Sequence, residues 1–218
     1  MGSGWFISFE GSEGCGKSTQ IERLCDWLES SGRELVRLRE PGGTPLGESI
    51  RGLLQHAPEG EGMSARAELL LFTASRAQLV DKVVKPALAR GRVVVCDRFL
   101  DSTAVYQGVA RRLGRDAVDS INAFAVDGCL PDLTFYLDLP PEDGMRRVLD
   151  RSTGARDRIE REQNEFFQRV RAGYLDLASD NPGRVVVVDA AASVDEVAGA
   201  IRGIVESRLN GISQATGA

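Results

Sequence analysis

Gly11-Ser12-Glu13-Gly14-Cys15-Gly16-Lys17-Ser18 fits the pattern G-x-x-x-x-G-K-[ST] of a phosphate-binding P-loop. The glycines let successive backbone N–H groups turn inward around a phosphate, where any Cβ would crowd the approach. Lys17 then reaches the β- and γ-phosphates of a nucleotide, and the Ser18 hydroxyl is placed to ligate Mg²⁺. The flanks agree with that reading. Trp5-Phe6-Ile7-Ser8-Phe9 is a short apolar strand, and Ile21, Leu24, Cys25 and Leu28 recur at helical spacing up to Gly32. Strand, glycine loop and helix in that order put the phosphates at a helix N-terminus.

Lysine is otherwise scarce. Only Lys17, Lys82 and Lys85 occur, and every other basic residue except one histidine is arginine. A compact point charge suits the space between phosphate oxygens, which accounts for Lys17 though not for the other two.

The 218 residues are long enough for one domain with a large core. Hydrophobic residues make up 42% and charged residues 27%, as in soluble globular proteins. The net charge of −5 argues against nucleic acid as a partner, so a polyanionic ligand must be met by a local arginine cluster. Cys15, Cys25, Cys96 and Cys129 have no metal-type spacing and read as reduced thiols. With no basic-then-apolar leader and no run of membrane-spanning length, the expectation is a soluble, cytoplasmic protein without a membrane partner.

Further along, residues 35–39 read as a second strand, ended by Glu40-Pro41-Gly42-Gly43. Residues 46–54 form a short helix and 64–89 a long one, with an irregularity marked by Pro86. Arg92-Val93-Val94-Val95-Cys96-Asp97 is continuously apolar, as a strand buried on both faces should be. Helices follow at 102–107 and 116–126, then a strand at 132–139 and a helix at 141–149. Residues 150–161 form an arginine-rich loop, here read as a lid. A helix over 159–178, a strand over 184–189 and a helix over 194–209 complete the domain, and 210–218 is expected to be a disordered tail. The alternation predicts an α/β fold: a five-stranded parallel sheet with helices on both faces, and ligands beyond the carboxyl ends of the strands.

Those strand ends carry Glu10, Arg39-Glu40, Asp97-Arg98 and Asp138. Asp97, at the end of a buried strand, suits Mg²⁺ held through water, or else a helix cap. Arg98 suits a clamp on a second phosphate, or else a surface ion pair. Arg151, Arg156, Arg158 and Arg161 suit a cover over the transferred group, or else a solvated loop.

Taken together, these motifs resemble the bacterial thymidylate kinases. The resemblance rests on residues 9–19 (Phe9-Glu10-Gly11 through Thr19), Arg39-Glu40-Pro41-Gly42-Gly43-Thr44 and Leu71-Phe72-Thr73-Ala74-Ser75-Arg76. It extends through residues 97–108 (Asp97-Arg98-Phe99 through Gly108), residues 131–138 (Pro131-Asp132 through Asp138) and Asp157-Arg158-Ile159-Glu160, and covers residues 5 to about 205. It implies a P-loop NTPase fold, a homodimer, and Mg-assisted transfer of the ATP γ-phosphoryl to dTMP. Gly11, Ser12, Glu13, Gly14, Cys15, Gly16, Lys17, Ser18 and Thr19 would then hold ATP, with Ser18 and Asp97 toward the metal. Phe72 would stack on thymine and Arg76 would reach its O4; the two are i and i+4 on one helix face. Arg98 and Arg51 would hold the dTMP phosphate, with Arg39 and Glu40 shaping the same wall. Ser102, Thr103 and Gln107 would line the base, Tyr106 the 2′ side of the sugar. Glu13 would lie near the acceptor sugar, paired with its clamp arginine. Departures are Cys15, where Ala or Ser is more usual, and Phe99, where Tyr or His is.

Phosphoryl transfer needs positioning and charge neutralisation more than covalent help. The P-loop offers Lys17 as its one cation, so an arginine must come from the lid. Arg158 is the leading candidate, its base fixed by the following helix, ahead of Arg151 and Arg156. Lys17, Arg98, Arg158 and Glu13 are thus the expected catalytic set. Two rivals remain at this level: another nucleoside monophosphate kinase, and a P-loop switch that transfers nothing. No Asn-Lys-x-Asp guanine-reading motif occurs, and a switch would leave Arg98 without a second anion.

Overall fold

Strand β1 (Trp5–Glu10) is buried at every position, and so is all of β3 (Val93–Asp97) but its last residue. Both lie inside a five-stranded parallel sheet with β2 (Leu35–Arg39), β4 (Leu133–Asp138) and β5 (Val185–Asp189), in the order β2-β3-β1-β4-β5. The computed structural model describes residues 4–151, 158–159 and 161–215.

Alternation along the strands divides the core. Trp5, Ile7 and Phe9 join Val93, Val95, Leu133 and Phe135 on one face. Against them pack Ile21, Leu24 and Leu28 of α1 (Lys17–Ser30) and Val197, Ile201 and Val205 of α9 (Val194–Ala215). Phe6, Val94 and Cys96 face the other way, toward Leu79, Val80 and Val84. Also on that side, Tyr136 and Val185 meet Phe167, Val170 and Tyr174 of α8 (Asn164–Asp180). Each such side chain contributes roughly 1.5–3 kcal/mol by leaving water. Ser8 and Glu10 share the face of Phe6, and both are fully buried. Ser8 is satisfied by the Thr134 hydroxyl at 2.7 Å. All four cysteines are free and buried.

Helix α2 (Pro45–Gln55) starts on Thr44, whose side chain accepts from the Gly47 N–H. The long helix expected over 64–89 is interrupted before its proline. Helix α3 (Ala65–Leu79) gives way to a π-helical turn, Val80–Val84, and then α4 (Lys85–Ala89). Pro86 offers no N–H and crowds the carbonyl four residues back, so the ladder widens and Lys85 N–H donates to the Val80 carbonyl. The helix expected over 102–107 likewise resolves into α5 (Leu100–Thr103) and a π-helical segment, Ala104–Ala110. Helix α6 (Arg115–Val126) and α7 (Pro141–Arg151) lie close to their expected spans.

Two boundaries are corrected. Helix α8 begins at Asn164, not at residue 159, because Arg158 and Ile159 form a turn in which Glu162 N–H bonds the Ile159 carbonyl. Helix α9 continues to Ala215, past the end expected at Leu209. Asn210-Gly211 reads as a stop signal, yet one glycine disfavours a growing helix by only about 1 kcal/mol.

Candidate active site

The registers Phe9↔Asp97 and Arg39↔Asp97 bring the ends of β1, β3 and β2 together. The cavity that opens there has a volume of about 430 Å³. Its floor is the P-loop between β1 and α1. Gly16, the residue before α1, is left-handed at φ 91°, and no side chain caps the helix. Its first-turn N–H groups are therefore left for an anion, with the helix dipole behind them. Gly14, Gly16, Lys17, Ser18 and Thr19 line the cavity. Gly11, Ser12 and Cys15 lie behind it, where the Gly11 and Ser12 carbonyls accept from Lys17 Nζ at 3.0 Å each. Burial and the Arg98 charge pull the Lys17 pKa down, but Cys15, Glu13 and Asp97 outweigh them and keep it above its ordinary value.

Beside the loop, just after β3, stands Arg98, in a left-handed backbone conformation (φ 67°) rare for so large a side chain. Its guanidinium pairs with Glu13, donates to Ser102 Oγ at 3.2 Å and lies over the Tyr106 ring, 5.2 Å from its centre. The expected Glu13 pairing is thus present. Burial raises the Glu13 pKa, yet Arg98 and Lys17 hold the carboxyl below its usual range. Arg51 reaches the same wall and donates to the Pro41 carbonyl at 3.0 Å. Arg39 borders it too, but is held by a bidentate pair with Glu48 at 2.9 and 3.0 Å.

Phe72 and Arg76 project from α3 into the deep end. Arg76 is buried, with Glu40 accepting from Nε and Nη2 at 2.8 and 2.6 Å. Asn122 Oδ1 takes one Nη1 hydrogen at 2.8 Å, and the Phe99 carbonyl takes the other Nη2 hydrogen at 3.1 Å. An arginine has five N–H donors, so among the described residues one hydrogen on Nη1 is left for a ligand. Ser102, Thr103, Tyr106 and Gln107 complete this wall. Glu40 Oε1, Thr103 Oγ1 and the Tyr106 hydroxyl are buried without a hydrogen-bond partner among the described residues. Such atoms are costly unless a ligand satisfies them.

Comparison with known proteins agrees with the geometry. The thymidylate kinase family model matches residues 9–201. The chain belongs to the thymidylate kinase family. The thymidylate kinase of Gloeobacter violaceus is 50% identical over 205 residues, covering 94% of this chain and 96% of its own. That of Solidesulfovibrio magneticus is 49% identical over 209 residues, covering 94% and 100%. The crystal structure of thymidylate kinase from Ehrlichia chaffeensis superposes with a TM-score of 0.75 at 33% identity, covering 94% of this chain and 99% of that one.

One residue expected at the centre of this thymidylate kinase fold stands elsewhere. Arg158 does not line the cavity: it pairs with buried Glu68 and donates through Nε to the Leu54 carbonyl at 3.1 Å. Because α8 starts only at Asn164, that helix does not fix its base. Arg156 lies outside the described residues, and so does the side chain of Arg151, the last residue of α7. Asp138 faces Arg171 in a bidentate pair at 2.8 and 2.9 Å, a structural role. Two residues escaped the sequence reading, and a third, Glu10, was marked there only as an acid at a strand end. Arg147 of α7 lines the cavity and donates to the Ala190 carbonyl at 3.2 Å; its closeness to the arginine-rich loop was the available signal. Glu68 binds Gln107 at 2.7 Å besides Arg158. Glu10 is buried beneath Arg98.

Proposed function

We infer that this protein transfers the γ-phosphoryl group of ATP to dTMP, giving ADP and dTDP. The observation that supports the reading is one cavity lined both by the uncapped N-terminus of α1 with Lys17 and by two further cationic side chains, Arg98 and Arg51. A nucleotide switch needs only the first. ATP phosphates occupy the loop of residues 11–19, and the dTMP phosphate meets Arg98 and Arg51. Phe72 stacks on the thymine while the remaining Arg76 N–H reaches O4. The three unpartnered polar atoms of Glu40, Thr103 and Tyr106 support a polar ligand at this end.

Mg²⁺ fits the donors present. Ser18 and Asp97 both line the cavity and offer hard oxygen donors, and no cluster of three or more His, Cys, Asp or Glu occurs among the described residues. Two protein oxygens suit an ion that keeps its waters and takes substrate phosphates. Ser18 and Asp97 would hold the ion, and it would supply further neutralisation of phosphate charge. The residues of this chain do the rest. Lys17 holds the donor phosphates, Arg98 aligns the acceptor, and Glu13 fixes Arg98. The attacking phosphate oxygen is already anionic near neutral pH and needs no strong base. Arg158 is the residue assigned to bring a further positive charge, for which it must leave Glu68; its neighbour Ile159 borders the cavity.

Leu53, Leu70 and Phe124 are exposed on α2, α3 and α6, which pack side by side, and Phe124 is 87% exposed. A second copy covering that face makes a homodimer, and sedimentation as a monomer at micromolar concentration would count against it. Four free thiols, and the lack among the described residues of a helix long and apolar enough to cross a membrane, support a cytoplasmic setting.

The test is ADP release over a panel of nucleoside monophosphates. Arg76 has only donors, so cytosine would set its N4 amino group against them. Preference for dTMP over dCMP is expected on the order of 10⁴. Equal turnover of the two would refute Arg76 as the reader, and a purine monophosphate as best acceptor would refute the substrate assignment.

A further inference from the structure

Glu10 is fully buried on the sheet face it shares with Phe6 and Ser8, and it does not line the cavity. Its two carboxylate oxygens accept three hydrogen bonds. Oε1 takes the Phe99 N–H at 2.7 Å, while Oε2 takes the Ser102 hydroxyl at 2.5 Å and the Tyr174 hydroxyl at 2.8 Å. Two of these partners flank Arg98. The Phe99 N–H belongs to the peptide unit that follows Arg98, where the backbone is left-handed. On its other side the Arg98 N–H bonds the Phe9 carbonyl at 2.9 Å, in the residue before Glu10. The Ser102 hydroxyl gives its proton to Glu10 and so turns a lone pair toward Arg98 Nη1, 3.2 Å away. Both the backbone and the guanidinium of Arg98 are thus tied to one buried carboxylate.

We propose that Glu10 is a positioning residue for phosphoryl transfer: it holds the strained turn at Arg98 and, through Ser102, aims the guanidinium at the acceptor phosphate. Three features support this. Arginine gains nothing locally from a left-handed backbone, so the surroundings must impose it, and such strain gathers at sites where aim matters. A carboxylate accepting a backbone N–H and a hydroxyl gives a tie of fixed length and direction. The tie runs along β1, the central strand, so Arg98 is referred to the same rigid element that carries the P-loop. Donor and acceptor sites then share one frame, as in-line transfer requires. The inference rests on the assignment of Arg98 to the dTMP phosphate.

The experiment is steady-state kinetics with dTMP and ATP varied separately, on Glu10→Gln, Arg98→Ala and the double variant, with thermal melts alongside. Glutamine keeps the size and the Phe99 bond but presents an amide hydrogen to Ser102. In Glu10→Gln the kcat/KM for dTMP should fall about ten- to a hundredfold, the scale of a small misplacement, while the KM for ATP moves less than about twofold. In the Arg98→Ala background the same change should add less than about threefold, because the two residues act as one unit. Full dTMP efficiency in folded Glu10→Gln overturns the proposal. So do equal losses for both substrates, or losses that multiply independently of Arg98. If Glu10→Gln does not fold, Ser102→Ala removes the link from Glu10 to the guanidinium while keeping the Phe99 bond. It also removes a contact with Tyr174 and a hydroxyl from the cavity wall, which the Arg98→Ala background controls for. Its loss toward dTMP should likewise vanish in the Arg98→Ala background, and persistence there overturns the proposal. Unchanged dTMP efficiency in Arg98→Ala itself would instead remove the assignment of Arg98, a separate failure.

Discussion

A Cβ placed on Gly14 would stand 2.2 Å from the Gly144 carbonyl oxygen, and one placed on Gly144 would stand 2.5 Å from the Glu13 carbonyl. The phosphate loop and α7 therefore touch backbone to backbone, with no side chain between them. Helix α7 runs directly into the arginine-rich segment, so the root of the proposed lid is seated on the phosphate loop. Gly144→Ala should push the two apart, destabilising the fold by about 1–3 kcal/mol as overpacking does. It should also raise the KM for ATP more than that for dTMP. Nucleotide titrations with a thermal melt check this; unchanged values in both would show the contact to be slack.

Arg158 gives the lid its sharpest test. Arg158→Ala should slow single-turnover transfer at least about a thousandfold, the low end for an arginine finger, with dTMP binding nearly unchanged. Arg147→Ala, on the cavity wall, and Arg151→Ala and Arg156→Ala run beside it as comparisons. If Arg158→Ala melts lower yet keeps its rate, the residue is only a strut for buried Glu68, which would keep Arg111 and Gln107 as its partners.

Stability should depend on pH through Glu10. Burial, and then the Asp101 charge, push its carboxyl from 4.5 up to about 7. The folded state therefore holds a proton that the unfolded chain has already released. The associated stability is complete below about pH 4.5 and is lost as pH rises toward 7, at up to about 1.4 kcal/mol per pH unit. Urea unfolding across that window should show the wild type losing stability relative to Glu10→Gln. Parallel curves would mean that Glu10 does not titrate there.

Most of this architecture is legible in the chain itself. Continuous apolar runs such as Val93-Val94-Val95 mark strands covered on both faces, and the glycine loop fixes where β1 ends and α1 begins. Position after a strand then selects Asp97 and Arg98, and the structure brings them to the loop. What stayed hidden depends on partners distant in sequence. Arg158 and Glu68 are 90 residues apart, so no local pattern marks Arg158 as held away from the cavity. Glu10 read as one more acid at a strand end, because only the folded chain brings Phe99 and Ser102 onto it. The π-helical segments escaped because one extra residue in a turn leaves an apolar pattern almost unchanged, although Pro86 did mark its neighbourhood.

The four thiols also make the chain its own reporter of local opening. Only a thiolate that meets solvent can be alkylated, and these stand at graded depth: Cys129 is 9% exposed, Cys25 5%, Cys15 3% and Cys96 0%. Burial also raises the pKa of Cys25, to about 11, and holds that of Cys96 well above the ordinary thiol range. Labelling at Cys96, in the middle of the sheet, should therefore follow only global unfolding, whereas Cys129 should follow smaller openings beside α6. Cys15 lies in the loop assigned to the phosphates, so nucleotide should slow its labelling and leave Cys96 governed by overall stability. The rates at these sites separate motion of the loop from motion of the whole fold, without any foreign probe.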